Sequence, residues 1–264
     1  MILYLFIPLF LLTFSNLYSI FKDYFECKPY LETYEEICQL EKESSGNHHI
    51  KKFDTLDVKN VSINLENKKN ISIPDLNIKK GEKILIIGES GLGKTTLFNI
   101  LLGFTKNYEG EIFINHTNLK NIDIKSLRNL IGISFQKSEL FSLSLKDNIL
   151  LGSNIDLDSL INLFRLSKVK DENDNLLNEN KLSGGEKARI NLAQNLARNP
   201  EVILIDETFS SLDEENEKLI LQNILKKYKD KTIICISHKL SLRKYFDRHI
   251  NYDKLIRRMN NEKI

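Results

Sequence analysis

Eight residues, Gly88-Glu89-Ser90-Gly91-Leu92-Gly93-Lys94-Thr95, constrain this chain more than any other stretch. They follow the apolar run KILII and lead into KTTLFNILLG, which reads as a helix. A strand that passes into a helix through a glycine-rich loop turns successive amides toward one point. The helix N-terminus adds the positive end of its dipole there. Glycine accepts the backbone angles required and lets an oxygen approach the chain closely. The spacing is that of a phosphate-binding loop. In such a loop the amides curl around a β-phosphate, Lys94 reaches the β- and γ-phosphates, and the Thr95 hydroxyl sits on Mg²⁺. Thr96, the next helix residue, is placed to touch phosphate. A chance glycine-rich turn is the rival reading, and the strand–loop–helix setting argues against it.

A second run, Val202-Ile203-Leu204-Ile205-Asp206-Glu207, is apolar until its last two residues. A strand buried on both faces delivers its final side chains to the C-terminal edge of its sheet, where ligands of open α/β folds bind. Asp206 is the expected Mg²⁺ partner and Glu207 the group that polarises an attacking water. The runs LIGISF and TIICIS share the continuous apolar character of buried parallel strands, as does EIFIN. LDVKNVSINL alternates instead, and ISIPDLNI reads as an edge strand that tolerates Pro74. The fold class expected is α/β: a mainly parallel core sheet with antiparallel edge strands and helices on its faces.

Leu182-Ser183-Gly184-Gly185-Glu186 opens the helix GGEKARINLAQNLA. This pentapeptide resembles the LSGGQ signature of ABC ATPases, with Glu186 in the place of glutamine. Other residues match that family's order. Gln136 resembles its Q-loop glutamine, Ser210-Ser211-Leu212-Asp213 its D-loop, and His238 its switch histidine. The resemblance covers roughly residues 53–253. It implies a helical subdomain at about 137–183, and ATP hydrolysis with Mg²⁺ between two domains packed head to tail. Gly88–Thr96 and Gln136 would bind nucleotide, with Thr95, Gln136 and Asp206 around the metal. Lys94, Glu207 and His238 would act on the γ-phosphate, and Ser183, Gly184 and Gly185 would complete the neighbour's site. QKSELFSLSLKDNILLG and RKYFDRHINYDK resemble the exporter branch, so the implied role is powering export across a membrane beside a membrane-spanning partner. Two further readings stand beside it: a non-transport ATPase of the same family acting on DNA or ribosomes, and a decayed transporter fragment. The aromatic residue that stacks on adenine in the family would fall near Asn64-Leu65, where Leu65 stands. Phe53 and Tyr108 are weaker candidates.

The N-terminus is different in kind. Residues 1–21 carry no charge and begin MILYLFIPLFLL, long enough for a transmembrane helix. Lys22 and Lys28 follow, which by the positive-inside tendency places the downstream domain in the cytoplasm. Residues 22–52 read as a charged helix to about Leu40 and then a linker, and residues 53–264 as the ATP-binding domain. A formal net charge of +2 lacks the concentrated basic excess of a nucleic-acid binder, so none is expected as partner. Cys27, Cys38 and Cys235 have no metal-ligand spacing, so they read as reduced thiols rather than a structural metal site.

Overall fold

The computed structural model describes residues 2–39, 43–65, 68–136, 139–172, 176–177 and 179–261, without side chains at 2–9, 65, 68–69, 171–172, 179 and 259–261. The chain divides into two compact units, residues 1–44 and 45–264.

The first unit is built on one helix, α1 (Ile2–Gln39). From Phe10 onward its side chains are exposed, including Phe14, Leu17, Phe21 and Phe25. Lys22 pairs with Glu26 and Lys28 with Glu32 one turn on. Among the described residues no helix is long and apolar enough to cross a membrane. The span expected over 1–21 is therefore not met there. Thr13, Ser15, Asn16 and Ser19 dilute the run and charge begins at Lys22, while the first nine residues of the expectation lie outside the described side chains.

The second unit begins with β1 (Thr55–Leu65), β2 (Lys68–Ile73), β3 (Leu76–Lys79), β4 (Lys83–Ile87), α2 (Lys94–Leu101), β5 (Glu109–Ile114) and β6 (Thr117–Asn118). It continues through α3 (Ile124–Leu130), β7 (Ile131–Ser134), α4 (Leu145–Leu150), α5 (Leu157–Phe164), α6 (Ser167–Glu172) and α7 (Gly184–Leu196). It ends with β8 (Val202–Asp206), α8 (Glu214–Lys227), β9 (Thr232–Ile236), β10 (Arg248–Asn251) and α9 (Tyr252–Asn261).

The strands gather into two sheets. One is antiparallel, in the order β2-β1-β5-β6 with β3 also on β1. The other is parallel throughout, in the order β10-β4-β9-β8-β7. EIFIN thus lies in the antiparallel sheet as β5, where only its alternate residues Ile112 and Ile114 are buried. ISIPDLNI is not one strand. Pro74 has no N–H to donate and a fixed φ, so β2 stops at Ile73 and β3 resumes at Leu76.

The parallel sheet divides the core. Successive strand side chains point to opposite faces. Ile84 and Ile86, Val202 and Leu204, and Ile234 and Ile236 join the core shared with the antiparallel sheet. Leu85 and Ile87, Ile203 and Ile205, and Ile233 and Cys235 join the core packed under α7 and α8. Burial on both faces is what made these runs continuously apolar. Leu204→Ala, in a fully buried strand with neighbours on both sides, should cost about 2–5 kcal/mol of stability. A urea titration should show a lower midpoint at unchanged slope.

Candidate functional site

The parallel register sets the site. Ile86 pairs with Ile236, and Ile236 with Asp206, while Ser134 pairs with Ile205. Four strands therefore end nearly level. The loops leaving them carry Gly88, His238, Glu207 and Gln136 to one edge.

At the end of β4 the glycine-rich loop turns into α2. Gly93 caps the helix at φ 88°, a left-handed conformation that favours glycine. A Cβ there would also meet Ile71 Cγ2 of β2 at 2.4 Å. At Gly91, φ 84°, a Cβ would meet nothing within 4 Å, so the loop presents open backbone. The Lys94 ammonium is buried beneath it and donates to the carbonyls of Gly88 (2.7 Å) and Glu89 (2.6 Å). Burial pulls its pKa down, opposed by the carboxylates of Glu207, Asp253 and Asp206.

A cavity of about 230 Å³ is lined by Ile71, Ser90, Gly91, Gly93, Lys94, Thr95, Thr96, Gln136 and Glu207. Asp206 is buried and hydrogen-bonded to Thr95. Its pKa is raised, chiefly by burial and further by Glu207, against the pull of Thr95 and Lys94. Glu207 follows in a left-handed backbone conformation, φ 49°. For a non-glycine residue that costs roughly 1–3 kcal/mol and persists only where the surroundings determine it. The Glu207 amide donates to the Ile236 carbonyl (3.1 Å), and its carboxylate lies 2.7 Å from His238 Nε2. Hydroxyl, amide and carboxylate oxygens at Thr95, Gln136 and Asp206 form a donor set suited to a hard divalent cation.

Ser183, Gly184 and Gly185 do not line this cavity. They form the tip of α7, with Ser183 and Gly184 exposed and Gly185 half-buried. Ser183 caps the helix by accepting from the Glu186 amide (3.2 Å), while the Glu186 carboxylate accepts from the Ser183 amide (2.9 Å). This is a reciprocal capping box. A Cβ at Gly185 would stand 3.3 Å from the Ser211 carbonyl oxygen, so the tip packs closely on the turn that carries Ser210 and Ser211. Asp213 caps α8 through the Asn216 amide (2.9 Å).

Of the adenine candidates, Phe53 is buried in the core, and Tyr108 lines a separate cavity with its ring under Lys120 Nζ at 4.5 Å. The Leu65 side chain lies outside the described residues. Residues 54–97 contain no aromatic side chain. Ile71 is the aliphatic surface that lines the phosphate cavity. Its strand pattern carried no chemical signal, so only the fold reveals it. Asp253 was missed in the same way. Its carboxylate accepts from the Glu89 amide at 3.2 Å, and Tyr252 packs under Gly88.

A model of the ABC transporter family matches residues 71–210. The lacticin-481/lactococcin-DR transport/processing ATP-binding protein lcnDR3 of Lactococcus lactis subsp. lactis is 40% identical over 193 residues, 68% of this chain and 27% of that protein. A putative multidrug export ATP-binding/permease protein of Staphylococcus aureus is 36% identical over 179 residues, 63% of this chain and 31% of the other. A bacterial Atm1-family ABC exporter solved with ATP bound superposes with a TM-score of 0.72 at 24% identity, over 86% of this chain and 44% of that one. That likeness speaks for the fold. The chain spans about a third or less of these curated relatives.

The cap at Ser183 is testable apart from any turnover. Ser183→Ala should cost about 0.5–2 kcal/mol in urea unfolding. Glu186→Gln, which keeps the acceptor, should stay within about 0.5 kcal/mol of the parent.

Proposed function

The chain belongs to the ABC transporter family, and from that premise we propose that it binds and hydrolyses ATP in a sandwich of two such domains to drive export through a membrane-spanning partner. The observation that carries this reading is the convergence of Lys94, Thr95, Gln136 and Glu207 on one cavity, with Asp206 and His238 touching its walls.

In this mechanism the amides of Gly88–Thr95 and the Lys94 ammonium hold the phosphates and offset their charge. Thr95 and Gln136, with Asp206 behind Thr95, would hold Mg²⁺, which would neutralise charge on the transferring phosphoryl group. Glu207 accepts a hydrogen bond from water and aims it for in-line attack. His238, hydrogen-bonded to Glu207, donates toward the γ-phosphate. The tip of α7 in a second copy closes the site with the Ser183 hydroxyl and the amides of Gly184 and Gly185. The chemistry is positioning and electrostatics rather than covalent catalysis.

The partner domain and its membrane account for localisation, with the ATPase on the cytoplasmic side. One relative named for transport and processing and another named for multidrug export support that branch, as does LFSLSLKDNI within the helical region. The exposed apolar side chains of α1, from Phe10 to Phe25, suit a membrane or membrane-protein environment better than water. They also weigh against a ribosome- or DNA-directed ATPase.

Three outcomes test the reading. Lys94→Ala should abolish ATP binding measured with a fluorescent nucleotide. Glu207→Gln should bind ATP normally, lose about 10²-fold or more of turnover, and accumulate as an ATP-bound dimer in size-exclusion chromatography. Normal turnover in Glu207→Gln would remove that residue from the mechanism. With Ile71 rather than a ring beside the loop, GTP should compete with ATP within about tenfold in affinity, and a strong adenine preference would show that another group reads the base.

A further inference from the structure

Three polar side chains lie deep in the second unit, outside the phosphate cavity. Ser134, Thr208 and Asn191 are 2%, 1% and 7% exposed. The Ser134 hydroxyl donates to Asn191 Oδ1 at 2.6 Å. The Thr208 hydroxyl lies 2.9 Å from the Ser134 carbonyl oxygen and 3.0 Å from its Oγ. Asn195 Nδ2, one turn along α7, donates to the Asn191 carbonyl at 2.8 Å. None of these side-chain atoms is a buried polar atom without a partner.

Apolar residues of similar shape would fill this space at no loss of stability, since a buried hydrogen bond returns little beyond the desolvation it offsets. A closed polar network does supply direction: it allows one arrangement of its three backbones. Each of those backbones leads to the site. Ser134 ends β7, two residues before Gln136. Thr208 directly follows Glu207, whose left-handed backbone needs support on both sides. The Glu207 amide is tied to Ile236 on one side, and Thr208 is tied to Ser134 on the other. Asn191 stands eight residues past Ser183 in one continuous helix, about 12 Å from its tip at 1.5 Å per residue.

We propose that Ser134, Thr208 and Asn191 are positioning residues that lock Glu207 and Gln136 to the helix headed by Ser183. The groups that act on a chain's own nucleotide and the tip it offers to its neighbour's then move as one body. None of the three reaches the reacting atoms. The link deepens the ATPase reading and, for its kinetic consequence, rests on it.

Thr208→Val removes the hydroxyl at nearly constant volume, Thr208→Ser keeps it, and Ser134→Ala cuts the network at its centre. The 264-residue chain in detergent, with its unfolding midpoint measured, serves for all three. Thr208→Val and Ser134→Ala should lower kcat by about tenfold to a hundredfold while KM for MgATP stays within about twofold. Thr208→Ser should restore most of the rate. Hydrogen exchange should rise together at residues 207–211 and at the helix start, 184–187, in Thr208→Val. The proposal is overturned if kcat in Thr208→Val and Ser134→Ala equals the parent's, if Thr208→Ser is as slow as Thr208→Val, or if exchange at 184–187 does not change. A parent chain without turnover whose two segments still loosen together would sink the ATPase reading and leave the mechanical link supported.

Discussion

The register of the buried parallel sheet is the constraint on which the site depends. β4, β9 and β8 pair so that Ile86, Ile236 and Asp206 stand side by side. A shift of one residue in any pair would turn each strand's apolar set to the opposite face. Both faces are packed, so the penalty falls on two cores at once. That rigidity holds the phosphate loop, the carboxylates of Asp206 and Glu207, and the His238 ring at one edge with no direct bond joining all of them.

Against this scaffold the site stores local strain. Glu207 is held in a left-handed conformation one residue after a buried acid. Its neighbours offset the cost: the Ile236 carbonyl on one side and the Thr208–Ser134 bonds on the other. The carboxylate is aimed at His238 rather than at the Lys94 ammonium, which instead bonds loop carbonyls. Burial disfavours the charged forms of both Lys94 and Asp206, and the opposite charge each finds nearby limits the shift.

The chain also presents two surfaces of complementary kind. One is a cavity lined by amides and a cation. The other is the exposed tip of α7, with amides of its own and the Ser183 hydroxyl. They do not meet within one copy; in the proposed sandwich a nucleotide between two copies would touch both. The capping box ties the tip's own hydroxyl to Glu186 (2.8 Å), which keeps the helix start ordered before any partner arrives.

By itself the sequence determined the phosphate loop, the acidic strand and the α7 tip, because each depends on residues adjacent in the chain. Gly93 needs its left-handed angle, and Ser183 needs Glu186 three residues on. Continuous apolar runs likewise marked β4, β7, β8 and β9, since burial on both faces leaves few polar positions, such as Ser134 and Asp206 at strand ends. Only the tertiary structure decided the rest. It moved EIFIN to a separate antiparallel sheet and broke ISIPDLNI at Pro74. It sent Phe53 to the core and Tyr108 to another cavity, and it brought Ile71 and Asp253 to the loop. It also joined Ser134, Asn191 and Thr208, which are separated by up to 74 residues and look like ordinary polar positions in the sequence. Contacts between distant segments follow from sheet pairing and packing, and no local spacing encodes those.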